Sequence, residues 1–198
     1  MPPSRFTYVV VPYFPGPEIA ATDPVSKALP LPIMARRGVP LTAQFPPTTE
    51  ILLSTKSGNR FTDFIYTQSR VILASQRAWD LMKAEGVTDA QVEYLPFVLK
   101  DRKGRVRPEK YGFVNPLLKV ACFDFDKSDY TPMSDDPTEG FAGISRLQIL
   151  PEKVPEDVKL FRLAEDPDVN LIRTDLLEKL RGAGMEGLRG IALGELLE

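Results

Sequence analysis

Residues 92–125 read VEYLPFVLKDRKGRVRPEKYGFVNPLLKVACFDF, and this stretch decides the fold class of the chain. Residues 92–99 are rich in β-branched and aromatic residues and predict a strand. The polar residues 100–104 predict a turn, from which Val106 starts the return. Residues 117–125 are almost continuously apolar, which is typical of a strand in the centre of a sheet. The stretch therefore predicts a fold in which strands dominate.

A helix is predicted just before this stretch. Ser75 is suited to cap a helix over residues 76–85, and Gly86 is suited to end it. Apolar positions recur at three- and four-residue spacing and predict one buried stripe, with Trp79 at its edge. The residues of the stripe are Ala78, Leu81, Met82 and Glu85.

A second helix is predicted near the end of the chain. Asp175 and Glu178 have the spacing of a capping box for a helix that runs to about residue 182. Its core face is formed by Leu176, Leu177 and Leu180. The other predicted strands are residues 6–11, 111–114, 144–150, 159–163 and 171–172, with a turn at residues 115–116 and a polar loop over residues 126–140.

Prolines are concentrated at the start of the chain, where the first 50 residues hold eleven of the 19. Proline has no amide proton and restricts the residue before it, so this part is not expected to hold long helices or central strands. We therefore predict a mostly irregular segment over residues 1–60 that packs on a domain formed by residues 61–198. The predicted class is α+β, with a mainly antiparallel sheet and two or three helices.

Two absences limit the chemistry that the chain can perform. It has no histidine, which excludes Ser-His-Asp and Cys-His catalysis and every histidine metal site. The single cysteine, Cys122, cannot form a disulfide within the chain, and its apolar neighbours predict a small buried residue. We therefore expect neither an enzyme nor a bound cofactor.

The compartment is predicted to be the cytoplasm. The first apolar run is short and is broken by Pro12 and Pro15, which does not fit a signal peptide. The chain has no run of about 18 apolar residues that could span a membrane. The net charge of −2 offers no general attraction to nucleic acid or to an acidic membrane.

The segment 124–139 carries the predicted partner-binding residues. Six carboxylates fall within these sixteen residues against one lysine. Such a loop could complement a basic partner protein and raise its association rate. The predicted binding residues are Asp124, Asp126, Asp129, Tyr130, Asp135, Asp136 and Glu139.

The same segment begins like a calcium-binding loop, with oxygen ligands at alternate positions. The match then fails, because Asp129 stands where the loop needs glycine and Asp135 stands where it needs glutamate. No metal is therefore predicted. The alternative is a strand end at which Asp126, Ser128 and Asp129 cap a turn.

Basic residues are concentrated between residues 100 and 110. They could contact phosphates, but no aromatic residues interleave with them for base stacking. Asp101 and Glu109 dilute their charge further. We interpret them as a solvated turn that discourages pairing of a sheet edge.

The order of several short segments resembles one known family. These segments are the helix that starts SQRA at residues 75–78, the strand VEYLPFVL at 92–99, YGFVN at 111–115, CFDFDKS at 122–128 and LFRL at 160–163. Together they are similar to the myxobacterial-type bacterial immunity proteins that are encoded beside polymorphic toxins. The resemblance spans about 120 residues and does not clearly include the proline-rich start.

The resemblance implies a cytoplasmic protein that binds and neutralises a cognate toxin, encoded by a neighbouring gene. It transfers no catalytic residue, and it leaves the toxin's activity and the oligomeric state open. Two alternatives remain from the residues themselves. One is an enzyme that uses carboxylates or a tyrosine on a small ligand, within a pocket lined by paired acids. The other is a scaffold protein that docks through its proline-rich arm.

Overall fold

The computed structural model of the protein describes residues 6–11, 18–23, 36–67, 69, 71–134 and 140–197. The helices in these residues are α1 (Gln76–Ala84) and α2 (Thr174–Gly182). The strands are β1 (Tyr8–Val10), β2 (Ala21–Thr22), β3 (Glu50–Leu52), β4 (Phe64–Thr67), β5 (Ile72–Ser75), β6 (Val92–Lys100), β7 (Tyr111–Pro116), β8 (Lys119–Val120), β9 (Asp129–Pro132), β10 (Phe141–Arg146), β11 (Leu160–Leu163), β12 (Asn170–Arg173) and β13 (Ile191–Ala192). The chain is therefore mostly β, with two α-helices in its described part.

Six strands form a sheet that nearly closes into a barrel. Their order is β2-β4-β5-β7-β6-β3, and the two end strands meet at a bridge between Thr22 and Leu53. Beside this bridge the Ser54 N–H donates to the carbonyl of Ala21 at 2.8 Å. The interior holds a cluster of buried apolar side chains that includes Leu73, Leu99 and Phe113. Closure leaves this sheet with little free edge, so its core is shielded on all sides.

The second large sheet has five strands in the order β13-β1-β12-β11-β8. β1 lies between β12 and β13 and runs antiparallel to both. β8 is the edge strand and runs parallel to β11. The face away from the barrel carries a third apolar cluster, to which Phe123, Phe161 and Leu171 belong.

The two helices fill the space between the sheets. Side chains alternate along each strand, so Leu73 of β5 faces the barrel interior while Ala74 faces the helices. In the same way Ile172 of β12 packs with the helices and Leu171 packs on the opposite side. One continuous cluster, which contains Trp79 from α1, therefore joins the barrel to the second sheet.

The prediction of a central strand over residues 117–125 is wrong. Only Lys119–Val120 pair as a strand, and they lie at the edge of the five-stranded sheet. Beyond Val120 the chain crosses to a neighbouring loop, where the Leu150 N–H donates to the carbonyl of Cys122 at 2.7 Å. Cys122 and Phe123 are buried in the apolar cluster on the face of the five-stranded sheet that points away from the barrel, and this burial explains their apolar character. The predicted turn at residues 115–116 is also wrong, because both residues belong to β7.

The predicted start of α1 is confirmed, but its predicted stripe is correct only for Ala78 and Met82, because Leu81 and Glu85 are only partly buried. The Ser75 hydroxyl accepts a hydrogen bond from the Ala78 N–H at 3.1 Å, and Gly86 has a φ of +95° that suits glycine. The buried positions of the helix are Ala78, Trp79 and Met82. Trp79 therefore lies within the buried stripe and not at its edge. Its ring stacks on the ring of Tyr94 in β6, with 5.3 Å between the ring centroids.

The second helix is confirmed, but its predicted capping box is wrong. The helix begins at Thr174, and its N-cap, Arg173, makes no side-chain capping bond. The Asp175 carboxylate instead accepts from the Leu176 N–H and from the Arg173 guanidinium at 2.9 Å and 2.7 Å. Leu176, Leu177 and Leu180 form the buried face as predicted.

The polar loop predicted over residues 126–140 contains an unforeseen strand. β9 pairs antiparallel with β10 in a separate two-stranded hairpin. β10 starts at Phe141 and ends at Arg146, so the strand predicted at residues 144–150 begins and ends earlier than expected. The chain near Leu197 covers the other edge of β10, where the Leu197 N–H donates to the carbonyl of Ser145 at 2.8 Å.

The described parts of residues 1–60 contribute β1, β2 and β3 to the sheets. Leu41 and Phe45 also pack into the barrel core. Eight of the eleven prolines counted above lie outside the described residues, which include Pro40, Pro46 and Pro47. The division of the chain at residue 60 stays a prediction.

Candidate functional site

Four aromatic rings meet at the base of the β9–β10 hairpin, and we call them the ring cluster. They belong to Phe123, Phe125, Tyr130 and Phe141. Phe123 is buried, and its ring centroid lies 4.8 Å from that of Phe125, 5.3 Å from Tyr130 and 4.7 Å from Phe141. The pairs of Phe123 with Phe125 and with Tyr130 are edge-to-face, which is a favourable arrangement at these distances. The ring cluster therefore fixes the hairpin to the core through its innermost member.

The outer members of this region face solvent. Phe125 is 44% exposed, Tyr130 is 36% exposed and Met133 is 63% exposed. Leu196, which bridges to Arg146 of β10, is also exposed. Six large hydrophobic side chains are exposed in the described residues, and these four belong to one region. A concentration of exposed apolar side chains with a polar surround is typical of a protein-binding surface.

Asp124 holds the turn that leads into the hairpin. Its side chain is buried and accepts hydrogen bonds from the N–H groups of Asp126 and Lys127, both at 3.2 Å. The Lys127 ammonium lies 3.4 Å from the other carboxylate oxygen. The turn expected from the sequence is present, but its cap is Asp124. The predicted partner-binding residue Asp124 is thus committed to the fold.

The other predicted site residues divide into two groups. Asp126, Asp129 and Tyr130 are exposed on or beside β9, where their side chains can reach a partner. Asp129 also lies 3.8 Å from the guanidinium of Arg146 on the paired strand. Asp135, Asp136 and Glu139 lie outside the described residues. The structure thus brings Asp126, Asp129 and Tyr130 together with Phe125 and the other rings.

The sequence reasoning missed the apolar part of this surface. The predicted binding residues include Tyr130 but not Phe125, Met133 or Phe141, because that prediction rests on the carboxylates of the segment. Their signal was present: three large apolar residues interrupt an otherwise polar segment. Such residues are unfavourable in a loop that faces only solvent, because exposing apolar side chains to water costs free energy.

The basic turn between β6 and β7 has most of its charges engaged. The Arg102 guanidinium donates to the carbonyls of Ser54 at 2.9 Å and Ser57 at 2.6 Å. Arg105 pairs with Asp101, whose pKa falls to about 2 because the Arg105 N–H and guanidinium donate to it. These contacts support the prediction of a turn at residues 100–104.

A buried polar network joins the barrel to the second sheet, and we call it the interior network. Its members are Glu93, Asn115 and Arg162. The Asn115 amide donates to the Glu93 carboxylate at 2.9 Å, and the Arg162 guanidinium donates to the Asn115 oxygen at 3.3 Å. Arg162 is 1% exposed and also donates to the carbonyls of Arg36 at 2.8 Å and Pro167 at 2.7 Å. The interior network therefore ties three distant chain segments together.

The electrostatics of Glu93 fit this structural role. Burial works against ionisation of the carboxyl group, but hydrogen bonds from the Thr42 hydroxyl, the Leu41 N–H and the Asn115 amide outweigh it. The pKa of Glu93 therefore lies below its ordinary value. Gly38 packs against the same Arg162 side chain with a φ of +60°, and a Cβ at this position would lie only 2.7 Å from the carbonyl oxygen of Pro116 and 2.8 Å from Cδ of Arg162. This arrangement holds a loop in place and presents no free acid–base pair.

A cleft of about 300 Å³ lies beside the hairpin. Its apolar wall is formed by Met133 and Phe141, and the residues of the turn 165–168 form a polar wall. Arg36 pairs with Asp168 through its Nε at 2.9 Å. The cleft thus combines an aromatic and thioether wall with acidic groups.

The described residues show neither an accessible thiol, nor a group of metal ligands, nor a helix that could span a membrane. Cys122 is fully buried as predicted, and burial followed by the nearby Glu165 carboxylate raises the pKa of its thiol to about 12. Within the described ranges, no three His, Cys, Asp or Glu side chains are grouped so as to hold a metal ion. Neither helix of the described chain has the length and apolar character needed to cross a membrane.

One comparison with known proteins gives a match. The model of a family described as an immunity protein family, Imm11, matches residues 14–195. The match includes both helices, the hairpin and every strand except β1, which lies before residue 14. No curated protein matches the chain.

Proposed function

Because the chain belongs to the Imm11 immunity protein family, we propose that it binds a cognate bacterial toxin in the cytoplasm and neutralises it. The observation that carries the proposal is the exposed outer part of the ring cluster, with Met133 beside it. Protein-binding surfaces commonly have an apolar, aromatic centre and a polar rim, and here carboxylates flank the rings. Family membership also favours a binding role over a catalytic one.

The proposed interface is the surface of Phe125, Tyr130 and Met133 together with the acidic residues predicted from the sequence. Among the acidic residues that the structure describes, Asp126 and Asp129 are exposed. We include Asp135, Asp136 and Glu139 because the sequence places them between the two hairpin strands. The surface fits a partner with a basic patch and an apolar recess. A stable complex would need about 800 Å² of buried surface on each protein.

The direct test is co-purification with the toxin encoded by the neighbouring gene, together with rescue of growth when both proteins are expressed. In the double variant Phe125→Ser/Tyr130→Ser we expect the affinity to fall by about a hundredfold, because aromatic residues at the centre of an interface contribute most of its binding energy. The matched control is Val106→Ser, since Val106 is 65% exposed on the turn at the far end of β6. Equal affinity of the double variant and the control would exclude this surface.

A second test addresses the acidic residues. The variant Asp135→Lys/Asp136→Lys should bind the toxin more slowly, and its association rate should depend less on salt, because the carboxylates steer a basic partner. The control is Asp89→Lys/Glu152→Lys, which makes the same change of charge at two exposed acids elsewhere. An association rate equal to that of the control would remove the acidic residues from the proposal and leave the aromatic surface in place.

A further inference from the structure

We propose that the cleft beside the hairpin receives a basic side chain, arginine or lysine, of the bound toxin. The inference rests on the proposed function and deepens it, because it names the chemical group that the surface recognises. The cleft is continuous with the proposed interface, since Met133 belongs to both and Phe141 of the ring cluster also lines the cleft. An occupant that enters the cleft would therefore come from the same partner that covers the ring cluster.

The apolar wall of the cleft suits the stem of a long side chain. Met133 is 63% exposed and Phe141 is partly exposed, so both present carbon and sulfur surface to the space. Arginine and lysine have apolar stems that pack on such surfaces while their charged heads reach a polar region. A cation that passes the face of the Phe141 ring is also attracted by the ring itself.

The polar wall supplies the acceptor for the charged head. Glu165 lines the cleft, and its Oε1 accepts from the Phe123 N–H at 3.3 Å. Its Oε2 is shielded from water and has no hydrogen-bond donor among the described residues. An unpaired acceptor is unfavourable, so a rotation of the Glu165 carboxylate that turns Oε2 into the cleft would be stabilised by a donor there, and a guanidinium or an ammonium group is the strongest donor a protein partner can offer.

The remaining charges of the cleft favour a cation over an anion. Its lining contains three carboxylates, of Glu165, Asp166 and Asp168, and two guanidinium groups, of Arg36 and Arg37, which leaves one negative charge (2 − 3 = −1). Arg36 is paired with Asp168, so its charge is already compensated. The side chain of Asp166 accepts from the Asp168 N–H at 3.1 Å and shapes the turn. Glu165 is therefore the carboxylate best placed to meet an incoming head group.

The cleft can be tested without the toxin. Full-length protein with ¹³C-labelled methionine methyl groups has a reporter inside the cleft, Met133, and four other methionines as internal references. It is titrated with N-acetylarginine methylamide and, separately, with N-acetylcitrulline methylamide, which has the same shape and no charge. We expect a saturating shift of the Met133 signal with the arginine compound alone. A response that is absent, or equal for both compounds, would overturn the proposal.

The variant Glu165→Gln keeps an oxygen that can accept from the Phe123 N–H and removes the charge. We expect it to lose the saturating response, whereas Glu152→Gln, at an exposed site elsewhere, keeps it. With the toxin, Glu165→Gln should weaken the complex by about tenfold or more, because a charge pair inside an interface loses one partner. If the compound binds but the toxin affinity is unchanged, the toxin does not use the cleft and the proposed function stands. If wild-type protein forms no complex with the toxin, the proposed function fails and the assignment of the cleft fails with it.

Discussion

The interior network and the ring cluster use their side chains in opposite ways. In the interior network the polar groups of Asn115 and Arg162 are buried, that of Glu93 is half-buried, and all three are hydrogen-bonded to the chain itself. In the ring cluster the apolar side chains of Phe125 and Tyr130 remain partly in solvent. Burying a charge and exposing a ring are both unfavourable for an isolated chain, so each needs a compensating partner.

The interior network and the ring cluster differ in whether the compensating contacts come from the same chain. The interior network finds its partners within the chain, because Arg162 reaches carbonyl groups on three different segments. Within the described residues the ring cluster is covered only on its inner side, by the core around Phe123. Buried polar groups in the interior therefore serve the fold, whereas the exposed apolar side chains of the hairpin are accessible to another protein.

The largest expected effect comes from removing the buried charge. The variant Arg162→Met should lower the free energy of unfolding by about 3–5 kcal/mol, because it leaves several buried acceptors without a donor, at about 1–3 kcal/mol for each that stays unsatisfied. Urea denaturation followed by circular dichroism measures this directly. A loss below about 1 kcal/mol would show that the interior network is dispensable, and the contrast with the hairpin would disappear.

The next effect concerns the thiol within the core. Cys122 in the folded protein should react with an aromatic disulfide reagent at pH 8 about a hundredfold more slowly, or slower still, than in denaturant. Its side chain is fully buried, its pKa is raised to about 12, and the thiolate is the reactive form. Absorbance of the released thiol follows the reaction. Equal rates in both conditions would mean that this core opens readily, and the hairpin anchored on it would then be mobile as well.

A smaller effect is expected on the pH dependence of stability. The pKa of Glu93 in the folded protein is below its ordinary value of about 4.3, so the stabilisation due to its charge is complete above that value. It is lost as the pH falls through the folded-state pKa. The free energy of unfolding of Glu93→Gln should therefore approach that of the wild type between pH 5 and pH 3. A difference between the two proteins that stays constant with pH would contradict this role of the charge.

The sequence predicted the regular elements better than the sites. The capping serine at residue 75 and the leucines of α2 are local signals, and both were correct. The prediction of a central strand over residues 117–125 was wrong, because an apolar run indicates burial but does not show whether the residues pair in a sheet or enter the core. The sequence does not show that Arg162 is buried and hydrogen-bonded to several segments, because those segments are distant from it in the chain. The hairpin was missed because β9, Asp129–Pro132, is fully exposed and has none of the alternation by which strands are recognised.

The smallest effect on stability should come from the exposed edge of the hairpin. Because Met133 is 63% exposed, the variant Met133→Ser should change the free energy of unfolding by no more than about 0.5 kcal/mol. Its affinity for the toxin should nevertheless fall by about tenfold, since apolar surface is lost from the interface. Val106→Ser provides the control, with an equally small change in stability and no change in affinity. An unchanged free energy of unfolding together with a lower affinity would show that Met133 serves binding and not the fold. A large loss of stability in Met133→Ser would instead mean that Met133 serves the fold, like the members of the interior network.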